Sequence, residues 1–267
     1  MSHAQTLGRS VEQILMHGCY ITVGLDDGDR AAVAHHIEAF NGAVTALREG
    51  DDTTPPLRAR GPLHVLTQME PAWRDFSDFA VFATHGNFNR PYLSRMYELH
   101  APVLESADRV TRRLAATYST ARIDVAASNT FANFAAMRRE ATRIAAYHCM
   151  LSLDVQAEAA RVGLDTSLTA YAKRLELAFG GSTDAQVLTA SVNGVAALRC
   201  LWRSFGSMED ALRPVAEGAV SPDFTEVADV RARMEYLVGL SDETVQLFEA
   251  ELAGEAVAPS ACSPLVG

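Results

Sequence analysis

The sequence predicts an all-α protein built as two tandem four-helix up-down bundle units related by internal duplication, and three observations carry that prediction. Apolar residues recur at helical spacing along most of the chain. No alternating strand pattern with a hairpin turn competes with them. The pattern also occurs twice. Both tryptophans stand in one phrase, Trp73-Arg74-Asp75-Phe76 and Trp202-Arg203-Ser204-Phe205, and the upstream residues Leu63, Leu66 and Met69 match Val192, Val195 and Leu198 at the same separation of 129 residues. The separation is 130 at Arg9/Arg139, Ile14/Ile144 and Cys19/Cys149, and 131 at Phe40/Tyr171, Val44/Leu175 and Gly50/Gly181. One-residue slips between segments are what loops absorb, so a unit of roughly 130 residues has been copied, too long a period for a solenoid. The expected units are 1–124 and 125–254, with a frayed tail at 255–267.

Each helix has its own signals. The first is expected from about Ala4 to Val23; Asp26-Asp27-Gly28-Asp29 then breaks the chain and caps a second helix over Arg30 to Arg48. Gly50 to Pro56 is a loop. A third helix carries Leu63, Leu66, Met69, Trp73 and Phe76 on one stripe and stops near His85-Gly86-Asn87. Pro91 suits the first turn of a fourth, which runs through Met96, Val103, Val110 and Leu114. In the second unit Ser128-Asn129 caps the helix of Arg138, Arg139, Arg143 and Ile144, and another spans about Ala157 to Phe179. Gly180-Gly181-Ser182-Thr183-Asp184 is the counterpart of the first loop. The Trp202 helix, a break at Gly218 to Pro222 and a last helix to about Leu252 complete the plan, which short polar loops turn into an up-down bundle.

Composition supports a globular chain: 48% hydrophobic, 21% charged, mean hydropathy near zero. The net charge of −10 argues against a nucleic-acid or anionic-membrane surface, which needs a clustered positive field. Lys173 is the only lysine, so the positive charge is almost all arginine, either from a GC-rich genome or for planar anion recognition. No apolar run reaches transmembrane length, and Met1-Ser2-His3-Ala4 does not begin a signal peptide. The expectation is a soluble chain, cytoplasmic as written or periplasmic if an export signal has been removed.

Much chemistry is excluded by motif. There is no Glu-x-x-His pair for a di-iron bundle, and no HExxH, GxxxxGK[ST], GxGxxG or GxSxG. No nucleophile, base and orienting group can be named together, so neither an enzyme, a metal nor a cofactor is expected. His35 and His36 are adjacent, about 100° apart on a helix, and read as a solvated face. The cysteines Cys19, Cys149, Cys200 and Cys262 form no ligand pattern and read as free buried thiols. Cys19 and Cys149, with His17 and His148 beside them, are either a paired site or small residues at tight helix contacts. Trp73, Trp202 and their Phe partners read as core anchors, with Arg74 and Arg203 turned toward solvent or a loop carboxylate. The opening helices hold the more interesting set. Arg9 and Gln13 lie one turn apart, and Arg139 and Arg143 occupy the equivalent face of the second unit. Packed about a pseudo-twofold axis they would converge three guanidinium groups and an amide, a match for a carboxylate or a flat oxyanion such as nitrate; otherwise they are surface arginines.

The plan resembles the ligand-binding domain of the type IV pilus chemoreceptor (PilJ-type) family, whose repeats open with Asn-x-Ala-Gly-Arg-Gln-Arg-Met-Leu-Ser-Gln and later carry a Trp followed by an aromatic residue. Leu7-Gly8-Arg9-Ser10 with Gln13, and Asn133-Phe134-Ala135-Ala136-Met137-Arg138-Arg139, stand against that opening. Gly24-Leu25-Asp26-Asp27, Ala46-Leu47-Arg48-Glu49-Gly50 and the stretch from His100 to Val110 are also similar, so the likeness covers nearly the whole chain as two copies. The Arg-Gln-Arg-Met-Leu core is intact in neither copy. The resemblance implies a helical sensory module, usually outside the membrane and often linked to nitrate or nitrite sensing, with the ligand held by arginines at a subunit interface such as a homodimer provides. Carried over by position are Arg9 and Gln13 in one unit and Asn133, Arg138 and Arg139 in the other; Arg143 enters as the repeat partner of Gln13.

The expected function is therefore a non-enzymatic helical sensor or solute-binding protein for a small anion such as nitrate or nitrite, acting through a signalling partner. The rival reading is a helical protein-protein interaction scaffold with no small ligand.

Overall fold

A computed structural model describes residues 2–25, 28–52, 54–86, 88–118, 125–181, 192–253 and 255. Among these the protein is all-α, with no strand, and divides into two compact units, 1–121 and 122–267. The first holds α1 (Ser2–Val23), α2 (Gly28–Glu49), α3 (Arg60–Thr84) and α4 (Arg90–Tyr118). The second holds α5 (Val125–Ser152), α6 (Ala157–Gly180), α7 (Val192–Ala216), a 3-10 turn at Phe224–Glu226 and α8 (Val227–Leu252). In each unit every helix packs on its neighbours in sequence and the last closes on the first, the closed ring of a four-helix bundle.

In unit 1 the ring is filled by Leu7, Val11 and Ile14 of α1, Val33 and Phe40 of α2, Leu66, Met69 and Phe76 of α3, and Leu93, Met96 and Val103 of α4, all buried. Two polar contacts set the ends. Asp29 sits inside the first turn of α2, wholly buried, and meets His17 Nδ1 of α1 at 2.6 Å. It lies inside the helix rather than at the cap position expected for this acidic turn, and it joins the start of α2 to the neighbouring helix. Arg30 donates to the main-chain oxygen of Ala83 at 2.6 Å, satisfying a carbonyl in the last turn of α3.

In unit 2, Met137, Ala141 and Ile144 of α5 pack with Leu164, Leu168 and Tyr171 of α6, Leu198, Leu201 and Phe205 of α7, and Met234 and Leu237 of α8. α5 starts at Val125, so Ser128 and Asn129 lie within it rather than capping it. Its turn into α6 is tight: Asp154 and Gln156 both adopt left-handed backbone, φ 55° and 50°, and the alternating Leu153 and Val155 are buried. α2 ends at Gly50 (φ 83°) and α6 at Gly181 (φ 62°), glycines in conformations that side chains rarely adopt. Residues 182–184 of the expected second loop, Asp26 and Asp27, Cys262 and all of the expected tail except Glu255 fall outside the described residues.

Burial agrees between the units at Ile14/Ile144, Cys19/Cys149, Phe40/Tyr171, Met69/Leu198 and Phe76/Phe205. It parts at the tryptophans. Trp73 is buried and lies flat on Phe40, ring centroids 3.6 Å apart, whereas Trp202 is 47% exposed and meets Phe179 edge-on. Trp202 is therefore not the core anchor the repeated phrase suggested. In α7 the inward position falls on Leu201, one residue earlier, and Phe205 rather than Trp202 stacks on Tyr171, at 4.4 Å. A one-residue shift rotates a side chain by about 100° round a helix, enough to exchange core for surface.

The interiors of α3, α4 and α7 contain Pro71, Pro102 and Pro214. No helix among the described residues is long and apolar enough to cross a membrane.

Candidate anion-binding site

The six residues expected to bind an anion lie on two helices, α1 of unit 1 and α5 of unit 2. Arg9 and Gln13 are on α1 of unit 1, Arg9 exposed and Gln13 half-buried. Arg9 lies within electrostatic reach of His36, which stacks on His17 with ring centroids 5.8 Å apart. His36 is thus not on a solvated face. Burial above all, helped by the charges of His17, His35 and Arg9, pulls its pKa down to about 4. His35 remains exposed.

Arg138 faces α8, where its Nη1 meets the Asp242 carboxylate. It is a tie between helices and not part of a cluster with its neighbour, since adjacent positions diverge by about 100°.

Asn133, Arg139 and Arg143 lie on the face of α5 toward α6. Asn133 is 5% exposed and donates from Nδ2 to the main-chain oxygen of Arg174 at 2.9 Å, which fixes α6 against the start of α5. Arg139 and Arg143, one turn apart, flank Glu140, 5% exposed, to which Arg143 Nη1 donates at 3.2 Å. The Arg174 guanidinium points into the same group. Burial lowers its pKa, Glu140 opposes that, and Arg139 and Arg143 add to the lowering. Three guanidinium groups and the Glu140 carboxylate thus share a half-buried setting, where charges are screened less than in open water. Planar fork-shaped donors gathered in this way present paired N–H groups to a flat oxyanion.

Sequence reasoning missed Glu140 and Arg174. Glu140 had a local signal, the Glu-x-x-Arg spacing that places it beside Arg143. Arg174 had none, because it comes from another helix and only the α5–α6 packing brings it in.

The cysteines require a correction. Cys19, Cys149 and Cys200 are disulfide-bonded and not free thiols, and no free cysteine remains among the described residues. Absence of a CxxC pattern could not reveal this, since disulfide partners need closeness in space and not in sequence. His148, between Tyr147 and Cys149, is completely buried, and neither ring nitrogen has a hydrogen-bond partner; burial pulls its pKa down to about 4. Among the described residues no group of three or more His, Cys, Asp or Glu side chains could hold a metal ion. No protein-family model, curated protein or solved structure matches this chain.

Proposed function

We propose that the protein is a non-enzymatic helical sensor or solute-binding module that takes a small planar anion, nitrate or nitrite foremost, at Arg139, Arg143 and Arg174, and reports to a signalling partner. The observation that carries this reading is the gathering of three guanidinium groups from two helices around Glu140. An entering anion adds an opposite charge to guanidinium groups that lower one another's proton affinity. Two of the three, Arg139 and Arg143, stand one turn apart on the opening helix of unit 2. The disulfide-bonded cysteines fit the same picture, because such bonds persist in oxidising compartments, where a sensory module outside the cytoplasm would work.

Thermal unfolding in sodium nitrate, nitrite, formate, acetate, phosphate and chloride at constant ionic strength tests it. An anion at one hundred times its dissociation constant should stabilise by about 2.7 kcal/mol. Arg139→Gln and Arg174→Gln should remove the nitrate-specific rise in Tm, while Arg138→Gln, which breaks only the Asp242 tie, should retain it. A rise that survives in the Arg139→Gln/Arg174→Gln double variant, or no anion-specific rise in the parent, would sink the proposal.

A second reading is favoured by one feature. Trp202 keeps nearly half its surface in solvent on α7, and a large exposed indole is common at protein contacts. In that case the helices serve as an interaction scaffold and Trp202→Ser abolishes partner capture without changing the response to anions.

A further inference from the structure

Unit 1 contains a cleft unrelated to the arginines of α5. It lies between α2 and α3, has a volume of about 200 Å3, and is lined among others by Phe40, Asn41, Arg48, Met69, Glu70 and Trp73. The stacked Phe40 and Trp73 rings, 11° from parallel, make its apolar wall. The indole Nε1 donates to Asn41 Oδ1 at 2.9 Å, which fixes the ring plane. Arg48 and Glu70 face each other across the two helices as an ion pair, with 38% and 35% of their side chains exposed. An aromatic wall with one cation and one anion side by side is a charge pattern with a natural complement.

We propose that this cleft binds a small zwitterion, an α-amino acid with an apolar side chain, its carboxylate on Arg48, its ammonium on Glu70 and its side chain against Trp73. Such a ligand exchanges one ion pair for two of the same kind and leaves neither protein charge without a partner. A simple carboxylate would separate Arg48 from Glu70 and strand the latter, and a simple amine would strand Arg48. The pair is more than a third exposed and partly screened by water, so discrimination against singly charged analogues comes from the second ion pair that only the zwitterion forms. The volume lies below the usual range for drug-sized ligands, which limits the occupant to a molecule of amino-acid size. Met69, unbranched and adaptable, lets the apolar end vary.

The test uses the full chain carrying Trp202→Phe, so that Trp73 is the only indole and its emission reports on this cleft alone. The probes are L-leucine, leucinamide and 4-methylpentanoate, which share the side chain and differ in charge. L-leucine should change the Trp73 emission saturably, with each singly charged analogue binding at least tenfold more weakly, about 1.4 kcal/mol. Glu70→Gln should weaken L-leucine tenfold or more and narrow its advantage over 4-methylpentanoate. Arg48→Gln should do the same relative to leucinamide, and unchanged far-ultraviolet circular dichroism would show both variants folded. Equal affinity for all three probes, no saturable response to L-leucine at millimolar concentration, or unaltered binding in both variants would overturn the proposal. Its outcome is independent of the anion response of unit 2.

Discussion

Acid should destabilise the protein through His148, and the size of the effect can be worked from its surroundings. The imidazole is fully buried and without a hydrogen-bond partner at either nitrogen, and its pKa falls from 6.5 to about 4 because burial penalises the charged form. Between those values the unfolded chain binds a proton that the folded chain refuses. Stability contributed by the neutral ring is therefore complete above pH 6.5 and lost as pH falls toward 4. With those two values the loss between pH 8 and pH 5 is about 2 kcal/mol, counting 1.36 kcal/mol per pKa unit. His148→Leu keeps the volume and removes the titrating group, and it breaks no hydrogen bond. Urea unfolding of parent and variant at pH 8 and pH 5 isolates the term, because His36, lowered to about 4 by burial and the nearby His17, His35 and Arg9, acts equally in both proteins. The variant should gain about 2 kcal/mol on the parent in going from pH 8 to pH 5. A stability difference that does not move with pH would refute the reasoning, since it would mean that the ring carries the same charge folded and unfolded.

Two further outcomes are expected. Gly163→Ala should destabilise by about 1–2 kcal/mol despite the better helix propensity of alanine, because the new methyl group would stand 2.6 Å from the Tyr147 ring; a rise in Tm on differential scanning calorimetry would show that the ring simply swings aside. Alkylation of the denatured, unreduced protein followed by peptide mass analysis should leave Cys19, Cys149 and Cys200 unlabelled until a reductant is added, and labelling without reductant would overturn their oxidised assignment.

The helices were legible because their signal is local. Spacing of apolar residues placed α2, α6 and α8 within a few residues of their observed limits, and Gly50 and Gly181 marked two ends correctly. The start of α5 was misplaced, since Ser128 and Asn129 are good caps that this helix runs through. The failures arose where tertiary packing decided. Trp73 and Trp202 share a phrase, yet Trp73 finds Phe40 to lie on, while α7 presents Leu201 inward in place of its indole. The buried His17–Asp29 contact joins residues twelve apart through a helix reversal, and a sequence shows only an acidic turn there. Of the candidate site, the α5 arginines could be read from their spacing. Arg174 could not, and neither could the diversion of Arg138 to Asp242, because each depends on which helix lies alongside.

The three interior prolines have a consequence for motion. Each lacks the amide that would reach back four residues, so Thr67, Glu98 and Asp210 keep carbonyls with no helical donor at those points. α3, α4 and α7 are thereby divided into shorter cooperative stretches, whereas α1, α2, α5 and α6 run without such an interruption. Amide exchange should expose this as a gradient: the proline-bearing rods breathe in segments, and the unbroken ones hold their protons until the whole bundle gives way.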